Sequence, residues 1–206
     1  MASTYWHAFS LILDHAGYAV AMALVFGAGA VFAFPVLRWR VGPLLVLPAW
    51  FARRIERMMR HAPSRIGLGA YIFLFNGTAI LLYMLTGLVP GAPAIVAFVT
   101  GMNVMLAGMM SRPLPVQATS SGSLSLLARI CAVVTFCLEL PCFWCAMAMG
   151  WTIYLPDGER LIRAQDRIVA YGLVILPLLA VSAFAEAHAV LSALNHGDGK
   201  STDSPS

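Results

Sequence analysis

Runs of apolar residues long enough to cross a lipid bilayer constrain this chain more than any other feature. A helix needs about 20 mostly apolar residues to span the hydrocarbon of a bilayer. The sequence is 60% hydrophobic and 11% charged, with a mean hydropathy of +0.81, which is more apolar residue than one soluble core of this size could bury. We therefore predict an all-α, polytopic integral membrane protein, a helical bundle. Its clear spans are residues 16–37, 68–89, 92–110 and 168–193.

A further apolar run, residues 123–154, is longer than one straight span requires. Arg129 and Glu139 are its only charged residues, and Pro141 lies inside it. A proline bends or breaks a helix because it lacks the backbone N–H and its ring meets the preceding turn. The run is therefore either one tilted helix or an interfacial piece joined to a span near Pro141. We expect about five spans, or six if the run divides, in one transmembrane domain at residues 1–194.

The two ends of the chain are expected to add no further domain. No Lys or Arg precedes Arg38, and no small-residue cleavage pattern follows a short apolar core. We therefore expect the run GYAVAMALVFGAGAVFAF, residues 17–34, to be a retained span rather than a signal peptide. Residues 195–206 are polar, and we predict a disordered tail there because they cannot bury enough apolar surface to order themselves.

The distribution of arginines predicts the orientation of the chain. Cytoplasmic loops carry an excess of Lys and Arg, and the turn between the second and third spans has none. The first loop is therefore expected in the cytoplasm and the amino terminus outside. Arg160, Arg163 and Arg167 then fall outside, which is an exception to the rule. The arginines of the first loop are Arg38, Arg40, Arg53, Arg54, Arg57, Arg60 and Arg65.

The first loop also has a helical pattern of its own. At ~100° per residue, the segment WFARRIERMMRH separates an apolar side from a basic side, which predicts an amphipathic interfacial helix at residues 44–62. Attraction to anionic headgroups, ~1 kcal/mol per basic residue, would hold this helix flat on the membrane surface. The alternative is a helix that only anchors the first two spans. The apolar side contains Phe51, Ile55, Met58 and Met59, and the basic side contains Arg53, Arg54, Arg57, Arg60 and His61.

Two cysteines, Cys142 and Cys145 in CFWC, have the spacing of a redox pair. A membrane thiol enzyme would need these thiols near water and usually a second dithiol in a loop. All 4 cysteines of the chain lie in the 123–154 run, so we interpret them as small packing residues.

Sequence motifs of known chemistry are missing from the chain. It contains no nucleotide-binding loop, no His-Glu-x-x-His and no nucleophile elbow, and its 5 histidines are scattered. Gly27 and Gly29 lie within an apolar span and follow no strand, so they favour close helix packing. The sequence predicts no enzyme activity, no cofactor and no metal site. The pI of about 9.1 follows from the loop arginines, so we expect no nucleic-acid partner.

Polar side chains inside the spans remain to be explained. An ionised carboxylate at the centre of a membrane helix costs ~2.5–3.5 kcal/mol on insertion scales, unless it faces the bundle interior. We expect these side chains to face inward, with Glu139 near Asn76, Asn103, Thr135 or the carbonyl that Pro141 leaves without a donor. Glu139 and Glu186 are expected to have separate partners. The predicted intramembrane polar cluster is Asn76, Asn103, Glu139, Pro141, Glu186 and His188.

The order of these residues resembles the stage II sporulation protein M family of integral membrane proteins, over about residues 71–190. The family has an aromatic residue three positions before an Asn, a Glu-hydrophobic-Pro-small motif, and a Glu between small residues in its last span. The chain departs from the family at Thr100-Gly101 and Thr135-Phe136. The matching residues are Phe73 and Asn76, Glu139 to Cys142, and SAFAEA with Glu186.

The resemblance implies a non-catalytic scaffold that organises partner proteins in the bacterial cytoplasmic (inner) membrane. The expected partners are a bilayer with anionic headgroups and other membrane proteins, or further copies of this chain. Under this hypothesis the polar cluster holds helices together by hydrogen bonds. The alternative is a small permease or transporter subunit, in which Glu139 and Glu186 couple protons or cations.

Overall fold

The chain is helical throughout nearly all of the part that the structure describes. The computed structural model describes residues 2–60, 64–89, 91–110, 126–151 and 164–198, and no β-strand occurs in these ranges. A 3-10 turn at Thr86–Leu88 extends α4, and a π-helical turn at Tyr171–Ile175 joins α7 to α8. The helices are α1 (Ala2–Asp14), α2 (Ala16–Arg38), α3 (Gly42–Arg60), α4 (Arg65–Leu85), α5 (Ala92–Met110), α6 (Leu126–Trp151), α7 (Ala164–Ala170) and α8 (Leu176–Asp198).

In the part of the chain that the structure describes, five helical segments are long and apolar enough to cross a membrane, which confirms the all-helical class and agrees with the predicted five spans. The spans alternate in direction, so α2 and α5 begin at the end of the bundle where α4 and α6 finish. We call this end the α1 end and the opposite end the α3 end. The segments are Ala16–Arg38, Arg65–Leu88, Ala92–Met110, Arg129–Trp151 and Gln165–Ser192.

The sequence did not decide whether the long apolar run at residues 123–154 is one helix or two. Over its described residues it is a single helix. Helix α6 continues from Leu126 to Trp151 with Pro141 inside it. The proline side chain is exposed on the outside of the bundle, whereas the next residue, Cys142, is buried. The ring meets no neighbouring helix there, but it still crowds the preceding turn of α6 and removes one backbone hydrogen bond.

Helices α2 and α5 are in backbone contact through two glycines. A Cβ atom on Gly29 would overlap the carbonyl oxygen of Phe98, and a Cβ atom on Gly101 would overlap the carbonyl oxygen of Phe26. The two contacts are reciprocal, since each helix supplies one glycine and one backbone surface. Gly27 has open space where its Cβ would lie. The predicted close packing of this span therefore depends on Gly29 and not on Gly27.

The other spans, α4, α6 and α8, form a second group that buries most of the core. Ile80, Cys142 and Leu179 lie in one apolar cluster, to which α1 contributes Ala8 and Leu11. Helix α1 was not predicted from the sequence. Its signal is the apolar spacing of Ala8, Leu11 and Ile12, at positions i, i+3 and i+4, which places one stripe of side chains against the bundle.

The last span contains an irregular turn at Tyr171–Ile175, where the helix widens to π geometry before α8 begins at Leu176. Pro177 follows directly and cannot donate the backbone hydrogen bond of a regular helix. Local widening is one way in which membrane helices accommodate a proline. Helix α8 ends at Asp198, so residues 195–198 of the predicted tail are helical, and residues 199–206 lie outside the described ranges.

Helix α3 spans Gly42–Arg60, close to the predicted interfacial helix at residues 44–62. Pro48 is buried and Leu45 and Ala52 are half-buried, so this face packs against the bundle. Leu45 lies beside the apolar cluster of α2 and α5. The predicted apolar side cannot be compared, because its side chains lie outside the described set. They are Phe51, Ile55, Met58 and Met59.

Candidate functional site

A hydrogen bond between an amide and a carboxyl group joins two spans near their middles. Asn76 Nδ2 donates to Glu139 Oε1 at 3.0 Å, and both side chains are partly buried. Asn76 lies between Ile72 and Ile80, which are buried residues one turn away on either side. Glu139 precedes buried Cys142 on α6 by three residues. Asn76 is therefore the partner, among those that the sequence offered, that the structure brings to Glu139.

Glu186 on α8 is the second carboxyl group of the site. It is half-buried and lies four residues beyond Ser182 on the same helix. Glu139 has a hydrogen-bond partner, whereas Glu186 makes no side-chain hydrogen bond to another residue in the described ranges. Only one of the two carboxyl groups is therefore tied to a neighbouring helix by a hydrogen bond.

Two hydroxyl residues lie between these carboxyl groups on the facing surfaces of α6 and α8. Thr135 Oγ1 donates to the carbonyl oxygen of Cys131 in its own helix at 3.0 Å and lies 3.4 Å from the carbonyl oxygen of Ser182. Ser182 Oγ in turn lies 3.4 Å from the carbonyl oxygen of Thr135. The reciprocal approach fixes the register of two antiparallel helices. The long distances indicate weak bonds across the interface.

A tyrosine from the π-helical turn makes the next polar contact. Tyr171 Oη donates to the carbonyl oxygen of Gly77 at 2.7 Å, the usual distance for a hydroxyl donor. Gly77 directly follows Asn76 on α4 and has no side chain between its backbone and the ring. The hydroxyl meets the backbone there, and this contact ties the last span to α4.

These groups form a line that we call the polar column. Helices rise about 1.5 Å per residue, so Thr135 lies about 6 Å from Glu139 toward the α3 end, and Glu186 lies about 6 Å beyond Ser182 in the same direction. Tyr171 lies on the other side, nearer the α1 end. The members of the polar column are Tyr171, the Gly77 carbonyl, Asn76, Glu139, Thr135, Ser182 and Glu186.

Three members of the predicted polar cluster lie apart from the column. Asn103 is half-buried on α5, and His188 is half-buried on α8. Neither side chain makes a hydrogen bond to another residue that the structure describes. Pro141 is exposed on the outer side of α6. The structure thus brings together Asn76, Glu139 and Glu186 from the predicted set.

Sequence reasoning missed Tyr171 and Ser182. Both carry hydroxyl groups, which cost less in hydrocarbon than a carboxylate or an amide, so a search for costly residues does not find them. Ser182 had a usable signal, because it lies four residues before Glu186 and therefore on the same face of the helix. The contact of Tyr171 depends on the π-helical turn, which has no clear sequence signature.

The predicted basic face of α3 includes an arginine that contacts the bundle. Arg54 donates from Nε and Nη2 to the hydroxyl oxygen of Tyr71 on α4, at 3.1 Å and 2.9 Å, and its guanidinium lies 5.4 Å from the ring centre of Trp50. Arg53 and Arg57 are exposed. The Arg60 side chain lies outside the described set. One arginine of this face therefore fastens α3 to the bundle.

The four cysteines are free thiols. Cys142 is buried and Cys145 half-buried, within the packed part of α6. Among the described residues, no three His, Cys, Asp or Glu side chains are grouped closely enough to hold a metal ion. The candidate site is therefore the polar column, which is made of hydrogen-bonding groups and two carboxyl groups.

Comparison with protein-family models, with curated proteins and with solved structures gave no match.

Proposed function

We propose that the chain is a non-catalytic scaffold or assembly subunit, which organises partner proteins in a membrane complex. The observation that carries this proposal is the hydrogen bond from Asn76 to Glu139, at 3.0 Å between α4 and α6. Each side chain is costly in hydrocarbon, and each offsets the cost of the other by pairing inside the bundle. This use of polar residues is that of a structural element rather than a reactive centre.

The rest of the polar column supports the same interpretation. Tyr171 joins the last span to α4, and Thr135 with Ser182 joins α6 to α8. Each contact connects a different pair of helices, so the column closes a triangle of three spans. Interhelical hydrogen bonds in membranes contribute about 0.6 kcal/mol each on average, and several together fix one arrangement of the helices.

The outer surface offers room for partners. Large apolar side chains such as Leu24, Val31, Val133 and Phe136 are exposed on the outside of the spans. In a bilayer these faces contact lipid or the helices of another protein. We place the chain in the bacterial cytoplasmic membrane as a multi-pass protein, which is the location that the resemblance to the stage II sporulation protein M family implies.

The test is purification of the full chain from its native membrane in mild detergent, with mass spectrometry of the proteins that co-elute. We expect a partner at fixed stoichiometry, which is retained by Glu139→Gln and reduced by Glu139→Leu. Val133→Leu is the control, because Val133 is on the outer side of the same helix. A homo-oligomer that elutes alone, in every detergent tried, would contradict the proposal.

A second candidate function is a small permease, and one observation favours it. Two half-buried carboxyl groups, Glu139 and Glu186, lie on either side of the Thr135–Ser182 contact between α6 and α8. Carboxyl groups inside the membrane are the means by which transporters bind a proton or a cation. Glu186 has no hydrogen-bond partner among the described residues, so it is available to exchange a proton.

The permease is tested by proton flux into proteoliposomes under an imposed gradient. Flux above that of empty liposomes, abolished by either Glu139→Gln or Glu186→Gln, would favour the permease over the scaffold. The amide keeps the size and hydrogen bonding of the side chain but cannot titrate. Thr135→Val is the control, since it removes a polar group from the column without removing a carboxyl group.

A further inference from the structure

Arg167, in the first turn of the last candidate span, is buried in the bundle. Its residue surface is 6% exposed, although the sequence alone placed it among external loop arginines. The span begins at Gln165, so this guanidinium lies close to the boundary between hydrocarbon and headgroups at the α1 end. A charged side chain at such a position is unfavourable unless it is paired, because burial removes it from water.

Helix α1 packs against the turn that contains Arg167. His7 Nε2 lies 3.8 Å from Asp166 Oδ1, and Ala8 and Leu11 are buried with Ala170 in one apolar cluster. These contacts lie on both sides of Arg167 along the helix. Arg167 therefore lies in a turn that packs against α1, and these contacts hold its backbone in place.

The guanidinium of Arg167 lacks the partners that a buried cation requires. Its Nε atom is inaccessible and has no hydrogen-bond partner among the described residues. Asp166 is its neighbour in sequence, and Asp166 Oδ1 lies 3.8 Å from His7 Nε2 on α1. Within the described ranges the structure gives Arg167 no ion pair. A buried arginine without an anion is strongly unfavourable, because its donors are fixed in a planar fork and cannot release the charge.

The surroundings indicate which anion is available. Tyr5 and Trp6 on α1 are exposed, and aromatic residues of this kind lie at the level of the lipid headgroups. A phosphate group matches the planar fork of a guanidinium by two parallel hydrogen bonds. We infer that Arg167 is an anion-binding residue that takes a phosphate group, supplied by a phospholipid headgroup or by free phosphate, at the α1 end of the bundle.

The test measures the thermal unfolding midpoint of the full chain in detergent with three additions. They are phosphatidylglycerol, a phosphate-free glycolipid with the same acyl chains, and inorganic phosphate against chloride at equal ionic strength. We expect a phosphate-bearing ligand to raise the midpoint of the wild type above its matched control. Most of this rise is lost in Arg167→Gln and part of it in Arg167→Lys, which keeps the charge but not the fork.

The controls separate this site from general attraction of charge. Arg53→Gln removes one exposed arginine at the other end of the bundle and should keep the rise. A rise with phosphatidylglycerol alone identifies the headgroup as the source, and a rise with inorganic phosphate identifies free phosphate. If Arg167→Gln does not fold, the comparison of Arg167→Lys with the wild type carries the test.

Three results would overturn the inference. The first is a wild type that responds to neither phosphate ligand. The second is an equal rise in the wild type and in the Arg167 variants. The third is a double variant, Asp157→Asn with Glu159→Gln, that strengthens the phosphate response, because Arg167 would then be paired with the chain's own carboxylates in the wild type.

Discussion

Asn76 donates a hydrogen bond of 3.0 Å to Glu139, between two parallel spans that are separated by a third span in the sequence. The pairing therefore fixes a tertiary contact and not only the order of neighbouring helices. It also explains how a carboxyl group is tolerated in the middle of α6. The contact has consequences for stability that can be measured apart from any activity.

A double-mutant cycle on Asn76→Ala and Glu139→Ala should give a favourable coupling of about 0.6 to 1.7 kcal/mol, the range found for interhelical hydrogen bonds in a membrane protein. The physical reason is that each single variant already loses the shared bond. The measurement is reversible unfolding in mixed micelles. Asn103→Ala with Glu139→Ala is the matched control and should give no coupling, because Asn103 does not contact Glu139. Purely additive effects at Asn76 and Glu139 would show that the bond contributes nothing.

The glycine contacts between α2 and α5 predict opposite effects for two neighbouring positions. Gly29→Ala should destabilise the bundle by about 1–3 kcal/mol, because the added methyl group overlaps the backbone of Phe98 and the helices must separate. Gly27→Ala should be neutral or slightly stabilising, since open space lies at that position and alanine favours the helix. Unfolding of both variants under the same conditions gives the comparison. Equal effects at the two positions would contradict the packing.

The orientation of the chain is predicted by the arginines of the first loop. A reporter fused near Arg60 should read cytoplasmic, and one at Gly91, between α4 and α5, should read external. The two positions are at opposite ends of the bundle, so the two reports must differ. Cytoplasmic and external readings in the reverse order would place the first loop outside.

The basic residues of α3 are predicted to differ in their contribution to membrane attachment. Arg53 and Arg57 are exposed, so changing both to Glu should weaken stabilisation of the full chain by anionic lipid. Arg54→Gln should have a smaller effect on that lipid response, because Arg54 already contacts Tyr71. The measurement is the unfolding midpoint in micelles of increasing phosphatidylglycerol content. An unchanged lipid response in the double variant would assign these arginines another role.

The span positions could be predicted from sequence because they depend on one local property, the length of an apolar run. Residues 92–110 were predicted with the observed bounds, and Gln165–Ser192 differs from the predicted 168–193 by a few residues. Helix α1 was missed because it is too short to span a bilayer, and its apolar stripe has meaning only once a bundle is present to receive it. The continuity of α6 through Pro141 could not be predicted either, because a proline can bend a membrane helix without ending it.

The candidate site was only partly predictable, for a related reason. A costly residue such as Glu139 is recognisable in the sequence, because hydrocarbon penalises it wherever it points. The identity of its partner is a property of helix rotation and register, which periodicity does not give when a span is apolar all round. Asn103 and Asn76 were equivalent candidates by that reasoning, and the packing of α4 against α6 selects Asn76. The sequence placed Arg167 in a loop, whereas in the structure α1 packs against the turn that contains it.

The most direct test of the structural role of the polar column compares Glu139→Gln with Glu139→Leu. Glutamine keeps the shape and the hydrogen bond to Asn76 but cannot titrate, whereas leucine removes both properties. Partner retention on detergent purification and proton flux in proteoliposomes are measured side by side on the same preparations. We predict that Glu139→Gln matches the wild type in both, and that Glu139→Leu loses partner. A Glu139→Gln variant that folds and assembles like the wild type, yet abolishes a proton flux that the wild type carries, would contradict the scaffold and identify a transporter.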